Sequence, residues 1–159
     1  MRENRFDPSR YTLLEAAATG RPGFVFFAVG DARSWYGQSI QASGEGENVR
    51  RVRAVTVEDV LAHYSPLDYL HMDIQGAELD FLSYRSELLN DQVRMVNVGT
   101  HSREIETALR RLFSSLRWTN LYDVELGTTR RVRVGDAVHD IEFGDGVQVW
   151  ANPKALGYP

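Results

Sequence analysis

The sequence predicts an α/β fold, because short apolar runs of strand length alternate along the chain with segments of helical periodicity. Residues 68–78 are the most informative of these segments. A short apolar run ends in Asp73, Gly76 follows it, and a helical pattern begins at Ala77. This order is typical of a buried parallel strand that passes through a tight turn into a helix. Because ligands of open α/β sheets bind at the carboxyl ends of strands, a functional site is expected at Asp73.

The region before this turn predicts strands on both sides of a long loop. Two apolar runs, 11–18 and 24–29, flank the turn residues 20–23 and predict a pair of strands joined by a tight loop. A polar, glycine-rich loop follows at 30–48, and residues 52–55 have the composition of another strand. A loop of this length inside a compact domain is usually either functional or disordered.

Caps and apolar faces mark the predicted helices. Thr56, with Asp59 three residues later, resembles a capping box at the start of a helix that ends before Pro66. A second helix is predicted over residues 77–89, and a third begins after the N-cap candidate Ser102.

Three more strands complete the predicted sheet. Residues 93–98 form an apolar run between the second and third helices. The β-rich segments 118–126 and 147–150 close the chain, and they predict an antiparallel hairpin at the sheet edge.

Composition excludes several classes of protein. The chain has 159 residues, no cysteine and a net charge of −4, so we expect one domain over 1–159 that has neither disulfides nor cysteine-bound zinc and does not bind nucleic acid. No apolar run approaches the roughly 20 residues that cross a bilayer. The N-terminus lacks the apolar segment of a signal peptide. A cytoplasmic protein without a membrane partner is therefore expected.

Four short segments match, in order, the motifs of a known family. Residues 73–78, Asp-Ile-Gln-Gly-Ala-Glu, follow an apolar strand, and the segments 98–106, 145–153 and 29–39 supply three further matches. Together they resemble the FkbM-type methyltransferases, which use S-adenosylmethionine on the Rossmann-like class I fold. The resemblance extends over residues 6–153, nearly the whole chain.

The resemblance implies a Rossmann-like class I methyltransferase fold, truncated at its N-terminus, with a mostly parallel sheet and an antiparallel C-terminal hairpin. It implies S-adenosylmethionine as the cofactor and O-methylation of a sugar or small-metabolite hydroxyl as the reaction. The cofactor-binding residues that it implies are Ala17, Ala18, Asp73 and Gln75. The substrate-binding residues that it implies are Trp35, Tyr36, Gln38 and Glu78. For the loop residues at 35–38, packing of the aromatic rings onto the core is an equal alternative.

The sequence lacks one half of the family's cofactor-binding pattern. No glycine-rich turn follows an early apolar strand, and Gly44-Glu45-Gly46 opens no helix. The chain is therefore expected to be part of a longer enzyme or a natural remnant, and to bind S-adenosylmethionine weakly or not at all by itself. The alternative to an enzyme is a non-catalytic fragment or interaction module that retains the back half of the fold.

Asp73 and His101 are the candidate catalytic residues. Asp73 stands where a carboxylate meets the reacting end of the cofactor or the acceptor, although it could instead cap the helix that follows. His101 follows the neighbouring strand, where a histidine serves equally well as a general base or as a hydrogen-bonded residue of a helix-entry turn. His71 has the position of a satisfied core histidine.

Glu78 allows two interpretations, and no metal is expected. Its carboxylate either orients the Asp73 loop or is simply favoured in the first turn of a helix. A divalent metal held by Asp73, Glu78 and His101 is conceivable, but the set of oxygen ligands is thin.

The run 69–72 also predicts assembly. The resemblance implies that an absent strand belongs beside it, which leaves an apolar edge without a blocking charge before Asp73. Either residues 11–18 fold back to pair with this edge, or a second copy does. A homo-oligomer or strand-complemented dimer is therefore expected, with a small molecule as the other partner.

Overall fold

The computed structural model describes residues 7–28, 40–41, 44 and 48–157. Its strands are β1 (Ala17–Ala18), β2 (Gly23–Ala28), β3 (Ile40–Gln41), β4 (Val49–Val55), β5 (Leu70–Met72), β6 (Met95–Thr100), β7 (Thr119–Val124), β8 (Thr128–Val134), β9 (Ala137–Phe143) and β10 (Gly146–Ala151). Its helices are α1 (Val57–Leu61), α2 (Glu78–Ser83), α3 (Ser86–Gln92) and α4 (Arg103–Ser115). None of the described helices is long and apolar enough to span a membrane.

The described strands form two four-stranded sheets and a separate hairpin. The N-terminal sheet has the order β1-β4-β2-β3, and β8 pairs only with β9 among the described strands. The other sheet, which we call the site sheet, has the order β5-β6-β10-β7. Strands β5, β6 and β7 run in one direction, and β10 lies antiparallel between β6 and β7.

The sheets are mixed, whereas the sequence predicted a mostly parallel sheet. Among the described strands, β1–β4 and β5–β6 are parallel pairs, and the other five pairs are antiparallel. Parallel neighbours need a crossover connection, which is usually a helix. Of the two parallel pairs, only β5 and β6 are joined by helices with no other strand between them in sequence. The antiparallel pairing of β7 with β10 at the sheet edge is confirmed, although the hairpin β8–β9 separates them in sequence.

The predicted pairing of residues 11–18 with 24–29 is wrong. Only Ala17 and Ala18 of the first run form a strand, and they pair with β4, which also pairs with β2 on its other side. The Thr19 N–H continues the parallel ladder by donating to the Val55 carbonyl at 2.9 Å. The turn at residues 20–23 therefore joins two strands that lie on opposite sides of β4, and it does not close a hairpin between them. Because β1 belongs to the N-terminal sheet, residues 11–18 do not supply the strand beside β5.

The helices follow their predicted caps, with one break. The capping box of Thr56 and Asp59 is present at the start of α1, and the Ser102 hydroxyl caps α4 by accepting from the Ile105 N–H. The single helix predicted over 77–89 is instead divided into α2 and α3. At the break Tyr84 is extended and Arg85 is left-handed with φ 54°, so the helical hydrogen-bond pattern cannot continue.

The core lies on the face of the site sheet that the helices cover. Along β6, Val96, Val98 and Thr100 are buried, and the ring of Phe113 from α4 lies 5.1 Å from that of Trp150 on β10. The side chains that alternate with the core on β5 are open to solvent. His71 is one of them, so its expected burial in the core is wrong: strand alternation places it on the uncovered face.

Candidate functional site

Asp73 and His101 lie together at the carboxyl ends of β5 and β6. These strands are parallel with Met72 opposite Val98, so Asp73 lies beside Gly99. His101 comes two positions after Gly99, directly after the last residue of β6. The Asp73 side chain is 57% exposed, whereas that of His101 is 13% exposed. The strand geometry alone therefore brings an exposed carboxylate to a largely buried imidazole.

The turn after β5 is built around Glu78. Gln75 and Gly76 have positive φ values of 55° and 104°, a left-handed path that glycine adopts readily. The Glu78 carboxylate accepts the Ile74 N–H at 3.2 Å and the Gly76 N–H at 3.1 Å. Asp73 accepts instead from the Gln75 side-chain amide at 3.1 Å. Ala77 is the N-cap of α2 and makes no side-chain cap bond, so Asp73 is not the helix cap.

The His101 ring lies between two carboxylates. Its Nδ1 is 2.8 Å from Glu78 Oε1, and its Nε2 is 3.1 Å from Asp73 Oδ1. The first contact is a hydrogen bond, whereas the second lacks hydrogen-bond geometry and leaves the buried Nε2 without a partner. The three side chains thus form a chain of contacts that runs from the fully buried Glu78 to the exposed Asp73.

The same three side chains each carry an atom of a type that binds metal ions. One ligand atom from each lies within 4.8 Å of the others. However, the two ring nitrogens of His101 face different carboxylates, and the oxygens of Glu78 already accept backbone N–H groups. This arrangement fits a chain of side-chain contacts better than a single cation site.

Of the six remaining predicted site residues, one lies at the site, two lie in the N-terminal sheet and three fall outside the described residues. Ala17 and Ala18 belong to β1 of the N-terminal sheet, and the hydrogen bonds of the described residues do not connect them with Asp73 or His101. Gln75 lies at the site through its bond to Asp73. Trp35, Tyr36 and Gln38 fall outside the described residues.

A cavity of about 300 Å³ lies away from this chain of contacts. It is lined by residues 12–16 together with Arg53, Val55, Asp59, His63 and Tyr64. Its lining includes an apolar stretch, and it contains none of the residues that surround Asp73. Among the described residues, this cavity and the candidate site at the sheet edge are therefore separate places in the fold.

Comparison with known proteins identifies the family. The profile of the family described as Methyltransferase FkbM domain matches residues 7–119, more than half of the chain. The chain belongs to the FkbM methyltransferase family. The matched region of this FkbM domain includes both Asp73 and His101, so the chain of contacts lies within the family's own segment.

A curated relative that is named as a methyltransferase is longer than this chain. The protein named "Putative methyltransferase" from Jannaschia sp. (strain CCS1) is 29% identical over 126 residues, which cover 72% of this chain and 44% of the relative. The chain thus spans less than half the length of that relative. No solved structure matches the chain.

The sequence predicted that Asp73 and His101 follow neighbouring strands, and the structure brings their side chains together, but the contacts that hold them were not predicted. Glu78 was expected to contact substrate or to support the Asp73 loop, and the structure places it fully buried behind His101. A possible signal was its position, since an acidic residue at the start of a short helix can reach back to the N–H groups of the preceding turn. The partner 23 residues later could not be inferred from that spacing.

Proposed function

We propose that this chain is the acceptor-activating part of an S-adenosylmethionine-dependent O-methyltransferase that acts on a hydroxyl group of a sugar or small metabolite. Membership of the FkbM family supports methyl transfer. The observation that carries the proposal is the largely buried His101, whose unpartnered Nε2 points toward the exposed Asp73 at the carboxyl edge of the sheet.

The residues at this edge suit the chemistry of a hydroxyl acceptor. S-adenosylmethionine, when bound, supplies an electrophilic methyl group, which the acceptor oxygen takes in line as the carbon–sulfur bond breaks and S-adenosylhomocysteine leaves. His101 accepts the hydroxyl proton at Nε2, the ring nitrogen with no partner. The exposed Asp73 orients the reacting groups, because an in-line displacement depends chiefly on alignment. Gln75 supports Asp73 through their hydrogen bond.

Other contacts in this proposal follow the family resemblance. Ala17 and Ala18 join Asp73 and Gln75 in contacting the cofactor, and Trp35, Tyr36 and Gln38 contact the acceptor. Glu78 acts through its contact with His101 and not by touching the acceptor, because its own carboxylate is buried.

A titration with S-adenosylmethionine monitored by amide NMR tests the cofactor part of the proposal and tolerates weak binding. We expect shift changes that cluster at Asp73, Gln75 and His101, and Asp73→Ala should reduce them. Asp68→Ala is the matched control. Asp68 precedes the same strand, and its exposed carboxylate pairs with Arg94 and not with the site. Shift changes confined to residues 12–16, or none at all in the complete gene product, would favour the non-catalytic interaction module.

We also propose that the chain forms a homo-oligomer through the free edge of β5. Among the described strands, β5 pairs only with β6, and its outer backbone groups are available to another strand. A second copy that adds a strand there would satisfy these groups and cover Tyr69, which is 47% exposed. Light scattering should then show a dimer or larger, with slow amide exchange at Leu70 and Met72. A monomer with rapid exchange at both amides would contradict this assembly.

A further inference from the structure

We propose that Glu78 is a positioning residue that fixes the tautomer of His101, with the proton on Nδ1 and the free electron pair of Nε2 at the Asp73 side. The tautomer itself depends only on the geometry described above. Its catalytic consequence rests on the proposed function, because it decides which ring nitrogen can accept a proton from the acceptor.

The donors around Glu78 determine the direction of its bond to His101. Oε1 accepts the Ile74 N–H at 3.2 Å and the Gly76 N–H at 3.1 Å, and Oε2 lies 3.1 Å from the same Gly76 N–H. Backbone N–H groups can only donate, so Oε1, which receives both of them, acts as an acceptor toward its neighbours. Nδ1, 2.8 Å from Oε1, must therefore be the donor.

The other ring nitrogen then has a defined role. In the neutral ring with its proton on Nδ1, Nε2 is an acceptor, and it is buried without a hydrogen-bond partner among the described residues. Asp73 Oδ1, at 3.1 Å, lies outside hydrogen-bond geometry and does not satisfy it. A buried acceptor without a donor is costly and calls for an explanation. A donor hydroxyl that arrives beside Asp73 would satisfy it.

Glu78 is held firmly enough to impose this tautomer. It is fully buried, and its two backbone donors belong to the turn in which Gln75 and Gly76 adopt left-handed conformations. One carboxylate therefore fixes both the path of the turn after β5 and the orientation of the ring after β6. An orienting group of this kind sets which nitrogen of a histidine carries the proton.

The test is NMR of the chain with ¹⁵N-labelled histidine, where ring nitrogen shifts distinguish the two tautomers. The chain has four histidines, and His101→Asn identifies the relevant signals. At the alkaline end of a pH titration, where the ring is neutral, His101 should be protonated at Nδ1. A ring protonated at Nε2 would overturn the inference, and this result needs no variant at Glu78 to fold.

Two variants separate positioning from general packing. Glu78→Met keeps a long side chain but removes the acceptor, so the Nδ1 proton should no longer be favoured. Thr100→Val disturbs the buried residue next to His101 without touching its ring, and it should lower stability while the tautomer stays unchanged. An unchanged tautomer in folded Glu78→Met would contradict the inference.

Activity gives the second readout. In the complete gene product, Glu78→Met should lower turnover by about 10²-fold or more, the usual scale of general-base contributions. If the wild-type protein transfers no methyl group, the proposed function fails while the NMR experiment still decides the tautomer.

Discussion

Glu78 and Glu106 are both fully buried carboxylates near the start of a helix that follows one of the parallel strands β5 and β6. Glu106 Oε1 accepts the Thr100 hydroxyl at 3.2 Å and the Leu126 N–H at 2.6 Å. Gly146 packs against it so closely that a Cβ would overlap the carboxylate. The groups that donate to Glu106 Oε1 thus both belong to the fold and lead to no exposed side chain.

Glu78 differs in where its contacts lead. Its backbone partners secure a turn, but its third partner, His101, continues to the exposed Asp73. Burial alone therefore does not distinguish a structural carboxylate from one that supports a site, since both residues are buried. What distinguishes them is whether the contacts stay inside the fold or continue through the unpartnered, buried Nε2 of His101 to an exposed carboxylate.

The largest expected effect on stability is at Glu106. Glu106→Ala leaves the buried Thr100 hydroxyl and the part-buried Leu126 N–H without their acceptor. The loss of both bonds should cost about 2–3 kcal/mol of unfolding free energy. Urea unfolding measures this loss. A loss below about 1 kcal/mol would contradict the structural role of Glu106 and remove its contrast with Glu78.

Two glycines sharpen the comparison, because Gly146 lies against Glu106 and Gly99 lies against Asp73 at the other end of the contacts of Glu78. Gly146→Ala should lower the unfolding free energy by about 1–3 kcal/mol, because its methyl group meets Glu106 and Thr100. Gly99→Ala on the neighbouring strand is the control, since its Cβ would lie 3.6 Å from Asp73 Cγ, an ordinary contact. Equal losses in the two variants would show that the packing around Glu106 is not special.

A third, less buried carboxylate, Asp59, should have a smaller effect on stability, and that effect should depend on pH. Hydrogen bonds from the Thr56 backbone N–H and hydroxyl hold the pKa of Asp59 below its ordinary value of 3.8. A lowered pKa in the folded state means that the ionised form stabilises folding. This stabilisation is complete above the ordinary pKa and is lost as the pH falls through the lowered one.

Asp59→Asn should therefore lower the unfolding free energy at neutral pH by about 1 kcal/mol, the usual scale of a helix cap. The difference from the wild type should shrink as the solution is acidified. Unfolding curves recorded at neutral and acidic pH measure it, and a difference that grows in acid would contradict the assigned sign.

The sequence predicted those features that depend on local pattern. The capping box of Thr56 and Asp59, the N-cap Ser102 and the strand–turn–helix around Asp73 are all short-range signals, and the structure contains each of them. The meeting of Asp73 with His101 could also be expected, because neighbouring parallel strands end at one edge.

The features that could not be predicted depend on long-range pairing. The partner of β1 is β4, chosen by a ladder between residues 37 positions apart in sequence, as in Ala17 with Ala54. The hairpin β8–β9 carries many charged residues and little apolar alternation, so its strands gave a weak signal. The bond from Glu78 to His101 likewise depends on how two turns approach each other.

The most direct test of the central claim compares turnover with stability in Asp73→Ala, using the complete gene product. The claim is that the contacts of Glu78 end in a functional group at Asp73, whose side chain is 57% exposed and outside the core. Methyl transfer should fall by about 10²-fold or more, while the unfolding free energy changes by no more than about 0.5 kcal/mol. Unchanged methyl transfer, or a loss that unfolding alone explains, would contradict the account.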